Sequence, residues 1–377
     1  MKIPDLLNDD LVEEILCRVP ATSMKRLRAT CKRWNRLFKD DRRFASEHCD
    51  KAPKESLFLI ATEEYRISPV TINLPHGDVP PSVEIKRELS LPDPHYNNSQ
   101  WIEVHSQSAI CYRNFVLGYY YYKQDKKNKS CSKRYKILCF NYYGLDIEIY
   151  ELNSCDSWRR IPDGDLTPPG WDADCYPHAV FLKGSCYFFG IEKSKPQHLR
   201  GLSLIRFDFS TEKSSLFLPL PCQRPRYNVS SLCVVREEKL SVFLQPDVAS
   251  KAEIWVTSKI DETTTKVKEV SWSKVLTLDL SPDLDITEGV RFLLDEDKKV
   301  AMCNERLLED PKSTILVDKI YFLGEDNKVS EFRLGLNDSN DYEEWHLPNW
   351  PMILDYVPSL VQIELPAAGG QKRKRGD

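Results

Sequence analysis

Several sequence features that mark particular classes of protein are missing from this chain of 377 residues. No apolar run approaches the roughly 18 residues that a membrane-spanning helix needs. Cysteine and histidine are never grouped at zinc-binding spacing, and there is no glycine-rich phosphate-binding loop and no hydrolase or zinc-protease motif. We therefore predict no membrane contact, no metal and no cofactor, and we identify no catalytic residue.

A secretion signal is also missing. Met1–Asp5 leads directly into an acidic amphipathic segment, without the apolar run that follows a basic start in signal peptides. The twelve cysteines contain no CxxC pair, and we expect them to stay reduced and to act as small apolar side chains. These observations predict a protein of the nucleus and/or the cytoplasm.

A strong helical pattern is present near the start of the chain. Its apolar positions recur every four residues, at Leu7, Leu11, Ile15 and Val19. Val12 and Leu16 make this apolar face of the helix wider. Asn8 is a suitable N-cap for this helix. Pro20 must close the helix or open the next one, because proline cannot occupy an interior turn.

The helical spacing continues after Pro20, where Thr22 and Ser23 are both suitable caps. The apolar positions are Met24, Leu27, Cys31, Trp34 and Phe38. They predict two or three short helices that end near Phe44. Such a unit is close to the size limit for independent folding and carries more bulky apolar side chains than it can bury. We interpret it as a docking module, with a helical cap that packs on its own chain as the alternative.

Positive charge is concentrated in the same region. Residues 21–54 contain eleven Lys/Arg and four Asp/Glu, a local balance of +7 in a chain of net charge −4. One explanation is a basic helix-turn-helix that contacts phosphates, with the candidate residues Arg26, Lys32, Arg33 and Arg36. We do not favour nucleic-acid binding, because the acidic first helix would face the same polyanion.

The residues of this unit also resemble a known motif. Leu7–Pro20, Met24–Leu37 with its Cys-Lys-x-Trp group, and Phe44 are similar to the F-box, the motif by which substrate receptors dock on the Skp adaptor of SCF-type ubiquitin ligases. The resemblance covers roughly residues 3–48. It implies that an adaptor-facing or core surface is formed by Leu7, Leu11, Ile15, Leu16, Pro20, Leu27, Cys31 and Trp34. The family usually has proline directly after the first Leu, where this chain has Asn8.

Beyond Lys54 the sequence changes to short apolar strands separated by turns. Ala179–Phe189 predicts a hairpin around Lys183-Gly184, and Leu232–Leu244 predicts another. Similar units recur at an irregular spacing in the range of propeller-blade repeats such as kelch, and one such unit cannot bury both faces of a sheet. We predict a mainly β chain in which a three-helix N-terminal unit precedes an irregular or incomplete kelch-like β-propeller. A two-sheet β-sandwich is the alternative.

Three details of this region are also predicted. We expect Leu57–Ile60 to pair with the last strand, Ser359–Leu365, and we expect the Lys- and Ser-rich segment Lys123–Lys136 to form a long loop. Glu237-Glu238 and Asp295–Asp297 fall at hairpin tips, where a solvated turn is expected rather than a general acid/base pair.

Five motifs in the β region carry a second resemblance. They are Phe207–Glu212, Leu218–Pro221, Val235–Leu240, Glu253–Ile260 and Ser271–Leu276. They are similar, in the same order, to the F-box-associated (FBA) interaction domain of the large plant F-box family, over about residues 55–365. One hairpin of that family is absent here, because Asn97–Gln100 joins directly to Trp101-Ile102. An unpaired, aromatic-rich edge would favour aggregation. Two alternatives follow: the proline-rich loop covers the gap, or the domain folds poorly and is nearly non-functional.

The two resemblances imply a substrate-recognition subunit of an SCF-type ubiquitin ligase that has no catalytic activity of its own. Residues 1–48 would bind a Skp-type adaptor and through it a cullin, and residues 55–365 would bind a protein target that the sequence does not identify. The alternative is a β-propeller scaffold or ligand-binding protein without a ligase partner. Residues 366–377 are predicted to be a flexible basic tail, which contains either a nuclear import signal or a solubilising cluster at Lys372, Arg373, Lys374 and Arg375.

Overall fold

The computed structural model shows a chain that is mainly β, as the sequence predicts. The residues that the structure describes are 8–52, 57–61, 67–73, 80–85, 113–123, 131–141, 147–152, 158–173, 179–196, 200–221, 227–246, 251–261, 270–280, 286, 290–308, 316–325, 329–334 and 352–356. Within these ranges the chain forms five helices and 21 strands.

The longer helices all lie at the N-terminus. They are α1 (Asp9–Leu16), α2 (Ala21–Arg28), α3 (Lys32–Asp40) and α4 (Arg42–Lys51), and a one-turn helix, α5 (Asp163–Leu166), follows much later. The helical region extends beyond the predicted end at Phe44 because Asp41 caps a fourth helix. The Asp41 side chain accepts a hydrogen bond from the Phe44 N–H at 2.9 Å.

The strands form five antiparallel sheets. Sheet I contains β1 (Leu57–Ala61), β2 (Ile67–Asn73), β3 (Ser82–Ile85) and β21 (Met352–Tyr356). Sheet II contains β4 (Arg113–Lys123), β5 (Cys131–Asn141), β6 (Ile147–Glu151) and β7 (Arg159–Arg160). Sheet III contains β8 (Trp171–Ala173), β9 (Val180–Leu182), β10 (Ser185–Glu192), β11 (Leu202–Asp208) and β12 (Lys213–Pro219). Sheet IV contains β13 (Tyr227–Val235), β14 (Lys239–Pro246), β15 (Lys251–Thr257) and β16 (Trp272–Asp279). Sheet V contains β17 (Arg291–Asp295), β18 (Val300–Leu308), β19 (Leu316–Gly324) and β20 (Val329–Leu334).

The chain divides into two compact units, one with α1–α4 and sheet I, the other with sheets II–V. In the first unit, β21 pairs with β1 from Leu57↔Tyr356 to Ala61↔Met352. The first strand therefore pairs with a strand near the C-terminus, as expected, but that strand is Met352–Tyr356. The predicted partner, Ser359–Leu365, lies outside the described residues.

In the second unit, alternate side chains of one strand pack into different cores, as the two-residue period of a strand requires. In β10, Cys186 and Phe188 join the core shared with sheet II, whereas Tyr187 and Phe189 join the core shared with sheet IV. In β13, Cys233 joins the core shared with sheet V. Sheets II, III, IV and V are therefore stacked in chain order.

One strand from each of these four sheets also lies beside a strand of the next sheet, since β4 contacts β9, β9 contacts β13, and β13 contacts β17. The Ser231 hydroxyl of β13 donates to the carbonyl oxygen of Val290, just before β17, at 2.9 Å. Successive sheets that stack face to face and meet along one strand each form a propeller-like arrangement. This confirms the predicted fold class and not its alternative, the two-sheet sandwich.

The predicted hairpins are present. β9 and β10 are joined by Lys183-Gly184, both with positive φ (46° and 78°), which suits the right-handed twist of a tight hairpin. β13 and β14 are joined by the turn that contains Glu237-Glu238, and Asp295–Asp297 leads into the turn between β17 and β18.

The long loop predicted for Lys123–Lys136 is wrong for its second half. β5 already begins at Cys131, and it pairs with β4 from Arg113↔Asn141 to Lys123↔Cys131. The polar composition of this segment suggested a loop, but cross-strand contacts override it. The Arg134 guanidinium lies 4.0 Å from the centre of the Tyr122 ring, a cation–π contact that stabilises the paired strands.

Candidate functional site

The four N-terminal helices enclose a small core of their own. Its buried members are Leu16, Cys17, Met24, Phe38 and Phe44, and its partly buried members are Val12, Val19, Leu27, Trp34 and Leu37. The Phe38 and Phe44 rings lie 5.4 Å apart, so α3 and α4 meet through an aromatic pair. This core determines which side of each helix is available for other contacts.

Helix α1 is apolar on both its inner and its outer side. Leu16 is buried, whereas Leu11 and Ile15, which lie one turn apart, are 48% and 51% exposed. Residues four apart are neighbours on a helix surface, so the two side chains form one stripe. We call Leu11 and Ile15 the outer stripe of α1. An exposed pair of large aliphatic side chains is a typical element of a protein-protein contact.

The other residues of the predicted surface lie nearer the core. Pro20, Leu27, Cys31 and Trp34 are half-buried, and Leu27 and Trp34 pack against the core of the helical unit. Leu7 lies outside the described residues. The structure thus places two of the eight predicted residues at the surface and one, Leu16, inside.

The starts of the first two helices are defined by different residues. Asn8 accepts a hydrogen bond from the Asp10 N–H at 3.4 Å, which confirms Asn8 as the cap of α1. The prediction of Thr22 or Ser23 as the cap of the second helix is wrong. Pro20 occupies that position and α2 begins directly after it, so both hydroxyl residues lie inside the helix.

Cys31 caps the third helix, a role that its apolar spacing did not indicate. It stands in extended conformation before α3, and its sulfur accepts a hydrogen bond from the Trp34 N–H at 3.4 Å. This contact helps to fix the start of α3 and with it the position of Trp34.

The acidic side of α1 pairs with basic residues of α4. Arg43 donates to Glu13 at 2.8 Å, and Lys51 donates to Glu14 at 2.9 Å. Hydrogen bonds from Lys51 and Arg18 hold the pKa of Glu14 below its ordinary value. Part of the +7 balance is therefore neutralised within the helical unit.

Among the described side chains, further basic residues are exposed on α2 and α3. The exposed basic residues are Arg26, Arg28, Lys32, Arg33, Arg36 and Lys39. On α2 and α3 the apolar residues Met24, Leu27, Trp34 and Phe38 therefore turn toward the core, and these basic residues face solvent.

The sequence pattern missed the contribution of α4, which is fastened to the rest of the unit by His48. This side chain is 1% exposed, and its Nε2 donates to the carbonyl oxygen of Val19 at 2.8 Å, since a carbonyl oxygen can only accept. The available signal was Asp41, a suitable cap, followed at helical spacing by Phe44 and Ala45.

In the β region, a charged cluster joins sheets II and III. Lys136 is buried and donates to the carbonyl oxygen of Phe209 at 2.9 Å and to the Glu212 carboxylate at 2.6 Å. Arg159 pairs with the same carboxylate, and the Lys136 ammonium lies 4.2 Å from the centre of the Tyr120 ring. These partners are all within the protein, so the cluster fastens two sheets together rather than forming a substrate site.

Two other expectations concern metals and membranes. Among the residues that the structure describes, Cys, His, Asp and Glu form no group of three that could hold a metal ion. None of the described helices has the length and hydrophobicity of a membrane span. The tail residues Lys372 to Arg375 and the segment before Trp101 lie outside the described ranges.

Comparison with known proteins identifies the class. The chain matches the model of the F-box domain over residues 5–46 and that of the F-box associated beta propeller domain over residues 89–363. It is 54% identical to the F-box protein ETP1 of Arabidopsis thaliana over 100% of both chains. It is 44% identical to the F-box protein ETP2 of the same plant over 99% of both chains, and 42% identical to an F-box/kelch-repeat protein of that plant over 100% of both.

This chain belongs to the family of plant F-box proteins with an F-box associated β-propeller domain. F-box proteins in general are receptor or adaptor subunits of ubiquitin ligases and not the catalysts.

Proposed function

We propose that this protein is the substrate-recognition subunit of an SCF-type ubiquitin ligase. Its helical unit binds a Skp-type adaptor and through it a cullin, and its propeller-like domain binds a protein target. The observation that carries this proposal is the outer stripe of α1. Leu11 and Ile15 are about half exposed although the opposite side of the same helix is packed into a core.

The geometry of the helical unit supports docking through this stripe. Glu13 and Glu14 are held by Arg43 and Lys51 of α4, so polar contacts on other sides of α1 fix its orientation within the unit. A rigid helix loses little conformational freedom when it binds. The stripe is therefore pre-organised for contact with an apolar groove of the adaptor.

Ubiquitination would then depend on proximity and not on chemistry performed by this chain. A target bound to the propeller-like domain is tethered near a ubiquitin-charged enzyme elsewhere in the complex. Tethering converts a bimolecular encounter into an intramolecular one and raises the effective concentration of target lysines. No residue of this chain needs to change covalently.

The test is an adaptor pull-down with the full chain and the double substitution Leu11→Ala/Ile15→Ala. We expect a loss of about tenfold or more in adaptor affinity, as for apolar residues at the centre of an interface. Leu216→Ala is the matched control, because Leu216 is 38% exposed on a strand of sheet III. Wild-type adaptor binding by the double variant would contradict the proposal and favour a scaffold protein without a ligase partner.

Trp34→Ala gives a second test of the same interface. Since Trp34 is half-buried and packs against the core, its removal weakens both the fold and any adaptor contact. Adaptor affinity and thermal unfolding are therefore measured on the same samples. A variant that melts earlier but binds the adaptor with unchanged affinity would assign Trp34 to the core alone.

We also propose that the protein acts in the nucleus and/or the cytoplasm. This rests on the four consecutive cations Lys372, Arg373, Lys374 and Arg375. A fluorescent fusion in which these four residues are replaced by Ala should lose nuclear signal. An unchanged distribution would remove the import signal from the proposal.

A further inference from the structure

Helix α4 holds the helix that carries the outer stripe, and two of its contacts come from residues beyond the F-box match. That match ends at residue 46, whereas α4 continues to Lys51. Lys51 donates to Glu14 at 2.9 Å, and His48 donates to the carbonyl oxygen of Val19 at 2.8 Å. The second half of α4 is therefore an addition to the motif that holds α1 and the turn after it.

The buried contact is the one made by His48. The Lys51 and Arg43 side chains are more than one third exposed, and ion pairs of exposed side chains are weakened by water and salt. His48 is 1% exposed, and its ring lies 6.0 Å from that of Phe44 in the helical core. Its Nδ1 atom has no hydrogen-bond partner in the described part of the chain, so Nε2 makes the specific contact.

The carbonyl that accepts from His48 belongs to the turn between α1 and α2. In this turn the Val19 N–H donates to the Leu16 carbonyl oxygen at 3.1 Å. Pro20 follows directly and has no N–H to donate. The partly buried Val19 carbonyl needs a donor, and His48 supplies it from α4. His48 thus fixes the turn in which α1 ends.

The position of this turn affects how the outer stripe is presented. Successive residues of an α-helix are about 100° apart around the axis. Ile15 is exposed, and the next residue, Leu16, is buried. A rotation or unwinding of the last turn of α1 would therefore move Ile15 out of the stripe. The buried hydrogen bond from His48 restrains that motion.

We propose that His48 is a positioning residue for adaptor docking. Its Nε2 fixes the turn after α1 and so holds Ile15 in the orientation that an apolar groove of the adaptor binds. The His48 side chain is itself buried and does not touch the adaptor. The docking unit of this chain then extends through α4, beyond the segment that matches the F-box domain. The inference rests on the proposed function, because it concerns the same adaptor site.

Two substitutions at His48 separate the hydrogen bond from the packing. His48→Gln keeps an N–H donor at the same number of bonds from the main chain, whereas His48→Leu fills the apolar surroundings but cannot donate. Affinity of the full chain for a purified Skp-type adaptor is measured by isothermal titration calorimetry. We expect His48→Leu to weaken binding by about tenfold, because only a fraction of the molecules then present the binding orientation. His48→Gln should weaken it by less than about threefold.

Phe44→Leu is the matched control for stability. Phe44 lies on the same helix and is buried, but this change removes packing and no hydrogen bond. Thermal unfolding is recorded for every variant, and affinity is measured well below the melting temperatures. Phe44→Leu should melt earlier than wild type and bind the adaptor with wild-type affinity. If it loses as much affinity as His48→Leu, the effect is a general one of the core and the positioning role is overturned.

A double-mutant cycle tests whether His48 acts through Ile15. In a chain that already carries Ile15→Ala, His48→Leu should weaken adaptor binding by less than about threefold, since the side chain that it positions is missing. A full tenfold loss in that background would overturn the proposal. So would wild-type affinity of His48→Leu in the otherwise unchanged chain.

Amide hydrogen exchange gives a local measurement without the adaptor. The Arg18 and Val19 amides, which donate within the turn after α1, should exchange about tenfold faster in His48→Leu than in His48→Gln. Equal exchange in the two variants would show that the hydrogen bond does not fix the turn, and would overturn the proposal.

The same titrations separate this proposal from the proposed function. If Leu11→Ala/Ile15→Ala loses the adaptor while His48→Leu binds it as wild type does, only the positioning role fails. If Leu11→Ala/Ile15→Ala binds the adaptor as wild type does, docking through the outer stripe fails, and the positioning role fails with it.

Discussion

Single residues in this protein differ in role according to burial, even when they are adjacent in the chain. Ile15 and Leu16 are both aliphatic, yet Ile15 is 51% exposed and Leu16 is 4% exposed. Charged residues differ in the same way. Lys51 forms ion pairs at the surface, where such pairs add little stability, whereas Lys136 is buried and depends on Glu212 to compensate its charge.

Glu212→Gln should destabilise the propeller-like domain by about 1–3 kcal/mol, since the buried Lys136 loses its nearer anionic partner and keeps only the Glu151 carboxylate at 3.9 Å. Burial raises the pKa of Glu212, but hydrogen bonds from Arg159 and Lys136 outweigh it and hold this pKa below its ordinary value. A carboxyl whose folded-state pKa is depressed stabilises the fold above its unfolded-state pKa, about 4.3, and this stabilisation is lost as the pH falls through the folded-state pKa.

Urea unfolding at a series of pH values checks this prediction. Between neutral pH and about pH 5 the difference in unfolding free energy between wild type and Glu212→Gln should be constant. Below pH 4.3 it should shrink. Glu325→Gln is the control, because Glu325 forms an exposed pair with Lys299 and should change stability little. A difference that does not depend on pH would contradict the assignment to the Glu212 carboxylate.

Among the elements, the four N-terminal helices are defined more by their ends than by their propensities. Each of α1–α4 spans only eight to ten residues, too few to be stable alone in water. Three of the four starts carry a side-chain cap, from Asn8, Cys31 and Asp41. Such short helices therefore depend on capping and on their shared core. Helix α4 belongs to the same unit, although it ends at Lys51, beyond the predicted end near Phe44.

Asn8→Ala should lower the stability of the helical unit by about 1 kcal/mol, because it removes the hydrogen bond to the Asp10 N–H at the start of α1. Asn8→Asp is the control and should retain most of that stability, since aspartate caps as well as asparagine. The measurement is urea unfolding of the full chain followed by the helical circular dichroism signal. Equal midpoints for Ala and Asp at this position would show that the cap does not stabilise α1.

The whole molecule is organised by two kinds of strand pairing. Sheets II–V are built from consecutive strands and stack in chain order through three successive cores. Sheet I is different, because it combines β1, β2 and β3 with β21 from the other end of the chain. The order of sheets II–V therefore follows the sequence, whereas sheet I requires contact between distant segments.

A chain that ends at residue 351 should be less stable and should self-associate, because it lacks β21 and leaves an edge of β1 unpaired. Five cross-strand pairs would be lost, with a cost of roughly 1–5 kcal/mol. Size-exclusion chromatography and thermal unfolding are the measurements. A chain that ends at residue 366 retains β21 and should behave as wild type. A monodisperse 1–351 chain with unchanged melting would show that β21 does not contribute.

Local features of the fold could be predicted because they depend on residues close in sequence. The cap at Asn8, the helix-breaking position of Pro20 and the hairpin around Lys183-Gly184 all follow from backbone preferences and short-range periodicity. The polar segment Lys123–Lys136 misled the prediction, because composition alone cannot show that Arg134 would lie over the Tyr122 ring on the paired strand.

The sequence by itself determined that the N-terminal helices have an apolar excess and that the β region consists of repeated hairpins, because both depend on the period of apolar residues along the chain. Only the tertiary structure decided that Leu16 faces inward while Leu11 and Ile15 face outward, that the C-terminal segment paired with β1 is Met352–Tyr356, and that β4 and β5 pair over a longer stretch than β5 and β6. These three results depend on contacts between elements, and periodicity carries no information about which elements meet.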